Sequence, residues 1–155
     1  EDGIRDLIVT GVQTCALPIY QFGKEYTFEV DLTLEANPDI ANIGAGLIFD
    51  APAADSKNDG QIVRFLNGGS EILWGYFDEN GRFNGQGASG IGLSPGSKQT
   101  VGVRVKATTF DILVNGQIVA SDLERRSTDG GFISLITFRG PVTFHEVRFS
   151  ELGGG

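Results

Sequence analysis

Residues 26–35 read YTFEVDLTLE. Tyr26, Phe28, Val30, Leu32 and Leu34 alternate with Thr27, Glu29, Asp31, Thr33 and Glu35. A period of two sends one set of side chains to a buried face and the other to solvent, the pattern of a half-buried β-strand. The same alternation recurs at 99–106, where Val101, Val103 and Val105 point inward and Arg104 and Lys106 outward. It recurs again at 108–121, where TTFDILV and QIVA flank Asn115-Gly116. That dipeptide tolerates the positive φ of a type I′ turn, so the segment reads as a hairpin.

Further strands follow from this frame. Residues 36–42, with Asn37, Pro38 and Asp39, read as a loop, and 43–50 (IGAGLIFD) as an apolar strand. Residues 51–60 are a polar loop. GQIVRFLN (60–67) and EILWGYFD (71–78) pair across Gly68-Gly69, and Asn80-Gly81 marks a second hairpin into Arg82 and Phe83. Residues 84–97 read as a long Gly/Ser-rich loop and 122–131 as a charged turn region. The last strands are 132–138 and 141–150; Phe144, Val147 and Phe149 share a face only with a bulge near His145-Glu146. About nine strands and no helix predict an all-β, two-sheet antiparallel β-sandwich of the jelly-roll kind.

Composition agrees. The chain has 155 residues, 23 Gly, 11 Phe and no Met, which suits one domain of many short strands. No stretch has the length of a transmembrane helix. The net charge of −8 argues against nucleic acid and against an anionic membrane surface as partners. It is compatible with neutral ligands such as sugars.

Residues 1–19, EDGIRDLIVTGVQTCALPI, show neither strand alternation nor a helical stripe. They resemble a translated sequencing adapter: EDGIRD matches GAA GAC GGC ATA CGA GAT. VTGVQTCALPI matches the read-primer region, and Leu7 and Ile8 fall at the barcode between them. On this reading 1–19 is no domain, 20–152 is the domain and 153–155 a Gly tail. Cys15, the only cysteine, then falls outside the natural part, and 17 acidic and 11 basic residues remain, net −6. The natural chain would be truncated at its N-terminal edge, with any signal peptide lost.

Several elements together resemble the concanavalin A-like lectin and glucanase superfamily, above all its bacterial laminin-G-like and 3-keto-disaccharide-hydrolase-type domains. They are AGLIF at Ala45–Phe49, IVRFLNGGSEILWGYFD at 62–78, the V-x-V-x-V…F-x-I-x-V-N-G run from Val101 to Gly116, and the closing run from Gly131 to Phe149. The resemblance covers residues 26–150. It implies an extracellular or periplasmic jelly roll that binds or processes carbohydrate, or serves as an adhesive spacer beside neighbouring domains of a longer secreted chain. It also implies one or two further strands at the front, lost here or replaced by residues 1–19.

Three constellations are candidates for chemistry. Glu29, Asp31 and Glu35 form an outward row, and most glycosidases work with paired carboxylates. The glucanase branch uses E-x-D-x-E or E-x-D-x-x-E, but Thr33 and Leu34 stand where the second Glu belongs. Glu29 and Glu35 lie on the order of 20 Å apart along a strand, beyond working distance. Glu29 and Asp31 therefore read first as a solvated face.

Trp74 and Tyr76 alternate with Leu73 and Phe77. Leu73 and Phe77 are the more natural core pair. Trp74 and Tyr76 then present flat faces to a glycan, with Arg64 supplying donors and Asp50 and Asn67 adding polar contacts; the alternative is that both aromatics fill the sandwich. Asp50, Asp55 and Asp59 offer hard oxygens of the kind calcium takes, but their spacing matches no EF-hand loop and they read first as a solvated acidic turn. His145, the only histidine, reads as structural, and Gly85, Gly87, Gly90 and Gly92 match no phosphate loop.

Overall fold

The computed structural model describes residues 5–9, 14–16, 25–35, 43–53, 56–66, 71–90, 93–129, 131–139 and 141–151; the side chains of 5–9, 14–16, 149 and 151 are not among them. The described residues form twelve strands. They are β1 (Arg5–Val9), β2 (Thr14–Ala16), β3 (Tyr26–Leu34), β4 (Gly44–Ala51), β5 (Gln61–Leu66) and β6 (Ile72–Phe77), then β7 (Phe83–Ser89), β8 (Lys98–Val105), β9 (Thr109–Val114), β10 (Gln117–Glu124), β11 (Phe132–Phe138) and β12 (Val142–Glu151). They make two six-stranded sheets of order β1-β12-β3-β8-β9-β10 and β2-β11-β4-β5-β6-β7. All pairings are antiparallel. This is the predicted jelly-roll β-sandwich.

The alternation in β3 works as expected. Tyr26, Phe28, Val30, Leu32 and Leu34 are fully buried. In register beside them lie Val105, Val103 and Val101 of β8 on one side and Phe144 and Val142 of β12 on the other. Across the sandwich the same cluster takes in Leu47 and Phe49 of β4, Val63 and Phe65 of β5, and Leu135 of β11. Each such side chain contributes about 1.5–3 kcal/mol of burial. The predicted bulge is present: the β12–β3 register slips between Phe144 and Glu146, which makes His145 the extra residue. Asn115 (φ 51°) and Gly116 (φ 81°) form the expected positive-φ pair between β9 and β10. At the β6–β7 turn Asp78 Oδ1 accepts from the amides of Asn80 and Arg82, both at 2.9 Å, and Gly81 takes φ 76°. The Gly68-Gly69 turn and the 36–42 loop lie outside the described residues.

Two expectations are corrected. Residues 83–89 are strand β7, not loop: Phe83, Asn84, Gly85 and Gly87 pair with β6 through backbone amides, which need no side-chain pattern. The hairpin strand β10 runs on to Glu124 through two register shifts, one near Asp122 at φ 55°. In addition, although residues 1–19 show no alternation, Arg5–Val9 and Thr14–Ala16 are strands, pairing with β12 and β11 at the outer edges. A sheet edge presents unpaired N–H and C=O groups that any extended chain satisfies, so alternation is no requirement there. Residues 5–9 and 14–16 thus supply one edge strand to each sheet.

One polar contact ties the sheets together. Arg125, just past β10, donates from Nε to Asp50 Oδ2 (3.0 Å) and from Nη2 to Asp50 Oδ1 (2.9 Å). Its Nη1 reaches the carbonyls of Lys106 (2.6 Å) and Ala107 (3.1 Å). The two side chains are 0% and 1% exposed. Asp50 sits on β4 of the other sheet at φ 56°, with the Tyr26 hydroxyl against its carboxylate. Burial pushes the Asp50 carboxyl up and Arg125 opposes that shift. Removing one member strands a buried charge, so Arg125→Met is expected to cost about 3–5 kcal/mol in urea unfolding. The double variant Arg125→Met/Asp50→Asn should lose less than that single change; an equal or larger loss would mean that the charge pairing is not what matters.

Candidate functional site: the outer face of the second sheet

The pleat sorts the aromatic hairpin. Val63 pairs with Trp74 and Arg64 with Leu73. Val63, Phe65 and Ile72 belong to the interior cluster, and Trp74 packs against it. Trp74 and Tyr76 therefore face the sandwich interior, while Arg64, Leu73 and Phe77 face outward. This reverses the expectation that Leu73 and Phe77 are the core pair, and Arg64 shares no platform with Trp74 and Tyr76. Trp74 lies across Gly87 of the edge strand β7, where an added Cβ would come within 2.6 Å of the indole Cε2. Tyr76 carries the Arg126 guanidinium 4.0 Å from its ring centre. The deciding partner, Gly87, lies in the segment read as loop, so the sequence pattern offered no way to choose the face.

Arg64 is instead the centre of an aromatic face of its own. Its row runs Ile136, Gly46, Arg64, Leu73 and Ala88 across β11, β4, β5, β6 and β7. The guanidinium carbon lies 4.4 Å from the Phe138 ring centre and 5.2 Å from that of Phe83. Glycines let both rings approach the sheet. A Cβ on Gly46 would come within 3.2 Å of Phe138 Cε2, and one on Gly75 within 2.9 Å of Phe83 Cε1. Phe83 also meets Phe77 edge-on at 6.1 Å and is 36% exposed, one of two exposed large apolar side chains among the described residues. Phe77 helps form a second apolar cluster with Ile48, Ala51, Ile62 and Ile136. Burial, and then the charge of Arg139, lower the Arg64 pKa from its ordinary value. Phe83 and Phe138 were not singled out in the sequence, since their role depends on strands that the sequence leaves unpaired.

The remaining candidates scatter. Asp50 is ion-paired with Arg125. Asp59, at φ 62°, pairs with Arg126 at 3.2 Å. Asp55 and Asn67 lie outside the described residues. Among the described residues no group of three metal-binding side chains comes together. Asp50 and Asp59 line a cleft with Pro52, Arg126, Ser127 and Asp129 at one end of the sandwich. His145 Nε2 and Thr33 Oγ1 share a hydrogen bond of 2.9 Å.

Glu29 and Asp31 lie on the outer face of the other sheet. Asp31 accepts from Arg148 Nη1 (2.9 Å) and Nη2 (2.8 Å) and from Thr100 Oγ1 (2.6 Å). The Arg148 bonds, against an opposing effect of burial, hold its carboxyl at about 2. A glycosidase acid needs the opposite shift. The lowered pKa means that Asp31 stabilises the fold above pH 3.8 and loses that contribution as pH falls toward 2. Asp31→Asn should cost about 1–2 kcal/mol at neutral pH, after allowance for the partly exposed Arg148, and the gap from the parent should close on acidification. A gap independent of pH in urea melts would contradict this.

No protein-family model matches the chain, and no curated protein does. Solved structures do. The carbohydrate-binding module CBM66 from Bacillus subtilis matches with a TM-score of 0.69 and 16% identity over 95% of this chain and 83% of that one. The Caenorhabditis elegans galectin LEC-6 matches with a TM-score of 0.66 and 14% identity over 96% of both chains. The Bacillus licheniformis beta-glucanase matches with a TM-score of 0.59 and 14% identity over 90% and 78%. At such identities the likeness is one of fold: the chain has the jelly-roll sandwich that a carbohydrate-binding module, a galectin and a glucanase share.

Proposed function

We propose that this chain is a non-catalytic carbohydrate-binding or adhesion module of a larger secreted protein, of the laminin-G-like kind, carried by residues 20–152. The observation that carries the reading is the outer face of the second sheet, where Arg64 lies between Phe83 and Phe138. Sugar rings have apolar C–H faces that stack on aromatic rings and hydroxyls that accept from guanidinium N–H groups. A sheet face presents such groups on rigid backbone, which lowers the ordering cost of binding. The carbohydrate-binding module and galectin among the structural matches support the reading. The glucanase match favours a hydrolase, but Asp31 is engaged by Arg148 and Thr100, and Glu29 is left without a suitably tuned partner.

The test is a glycan array on the full chain, followed by affinity measurements on retained glycans. Phe83→Ala should weaken binding about tenfold or more, since hot-spot aromatics cost about 2 kcal/mol or more on truncation. Its melting temperature should stay close to the parent's. Trp74→Ala should do the reverse, lowering stability and leaving affinity intact. Retention of no glycan, with no sugar release from polysaccharide, would leave only a spacer role and overturn the proposal.

A further inference from the structure

The outer face of the second sheet carries a charge with no carboxylate partner among the described residues. The chain is net negative by 8. Arg125, Arg126 and Arg148 each reach a carboxylate, at 2.9, 3.2 and 2.8 Å. Arg64 reaches none among the described residues. Its contacts there are the two rings, and its Nε is buried without a hydrogen-bond partner. The charge that bears on it is a second cation, Arg139, which is exposed at the end of β11. Arg64 thus lies against aromatic rings, and Arg139 directly follows one of them, Phe138, in an acidic protein.

An unpaired, partly desolvated guanidinium is costly, and the cost is offset when an anion binds. Contacts with Phe83 and Phe138 restrict the Arg64 guanidinium, and with Nε buried its two Nη groups form the N–H edge left for a ligand. A planar carboxylate matches that edge with two parallel N–H···O bonds, and the low local polarity strengthens them. The exposed ring of Phe83 beside it offers a stacking surface for the sugar that bears the carboxylate.

Building on the carbohydrate-binding reading, we propose that this face selects an acidic saccharide, a uronic-acid unit whose carboxylate pairs with Arg64 and is drawn in by Arg139. Arg64 is the specificity determinant and Arg139 supplies long-range attraction.

The experiment titrates the full chain with four probes: an unesterified oligogalacturonate, its methyl ester, a neutral β-glucan oligosaccharide and a sulfated neutral oligosaccharide. The oligogalacturonate should bind at least about tenfold tighter than the other three. Its affinity should fall with added salt. Arg64→Met should abolish the preference while the fold, followed by thermal melting, is retained or strengthened. Arg64→Lys, which keeps the charge and loses the fork, should recover little of it. Arg139→Gln should weaken binding a few-fold and flatten the salt dependence.

If the ester or the glucan binds as tightly as the acid, the carboxylate assignment is overturned and the carbohydrate-binding reading stands. If the sulfated probe binds equally, the site takes anions without regard to shape, and the assignment is again overturned. Selectivity that survives Arg64→Met would place the determinant elsewhere. If no saccharide of any kind binds, both readings fall together. The methyl-ester comparison requires no substitution, so it holds even if a variant misfolds.

Discussion

Burial of one side of β3 is the constraint on which the structure depends. Five side chains from Tyr26 to Leu34 are removed from water, and each demands a covering partner. β8 and β12 supply partners within the sheet, and β4, β5 and β11 supply them across it. Because side chains alternate strictly, the inward choice at β3 sets the direction of every neighbour in register. The outward residues of the second sheet are what remain once the interior is filled. Arg64 faces out because Val63 and Phe65 face in.

The two sheets manage their charges in contrasting ways. Between the sheets, Arg125 and Asp50 neutralise one another, and Arg125 donates to four oxygens, the two of Asp50 and two backbone carbonyls. On the outside of the first sheet, Arg148 and Thr100 occupy Asp31, which keeps its carboxylate ionised and engaged. On the outside of the second, aromatic rings hold Arg64 without neutralising it. A charge paired within the protein contributes to architecture; one that is positioned but unpaired retains its capacity for a partner. That difference separates the candidate site from the acidic residues near it.

The glycines carry part of the same argument. Gly46 and Gly75 remove the Cβ atoms that would hold Phe138 and Phe83 away from the sheet, and Gly87 does so for Trp74 on the opposite face. Glycines on three strands of one sheet, β4, β6 and β7, thus receive rings on its two faces, while their backbones continue the ladder.

Alternation within single strands was enough to determine the architecture. Tyr26 to Leu34, Val101 to Val105 and the Asn115-Gly116 turn specify paired, one-sided strands, and the bulge at His145 follows from where Phe144 and Val147 must point. These are local properties, decided by residues two apart. The face of Trp74 and Tyr76, the fate of Asp50 and the company of Arg64 were decided only by tertiary structure. Each depends on a residue outside its own strand: Gly87 in a neighbouring strand without pattern, Arg125 some 75 positions from Asp50, Phe138 on a strand that reaches Arg64 only across β4. Strand β7 and the pairings of residues 5–9 and 14–16 were likewise invisible, because backbone hydrogen bonds at a sheet edge are indifferent to the side chains that the sequence spells out.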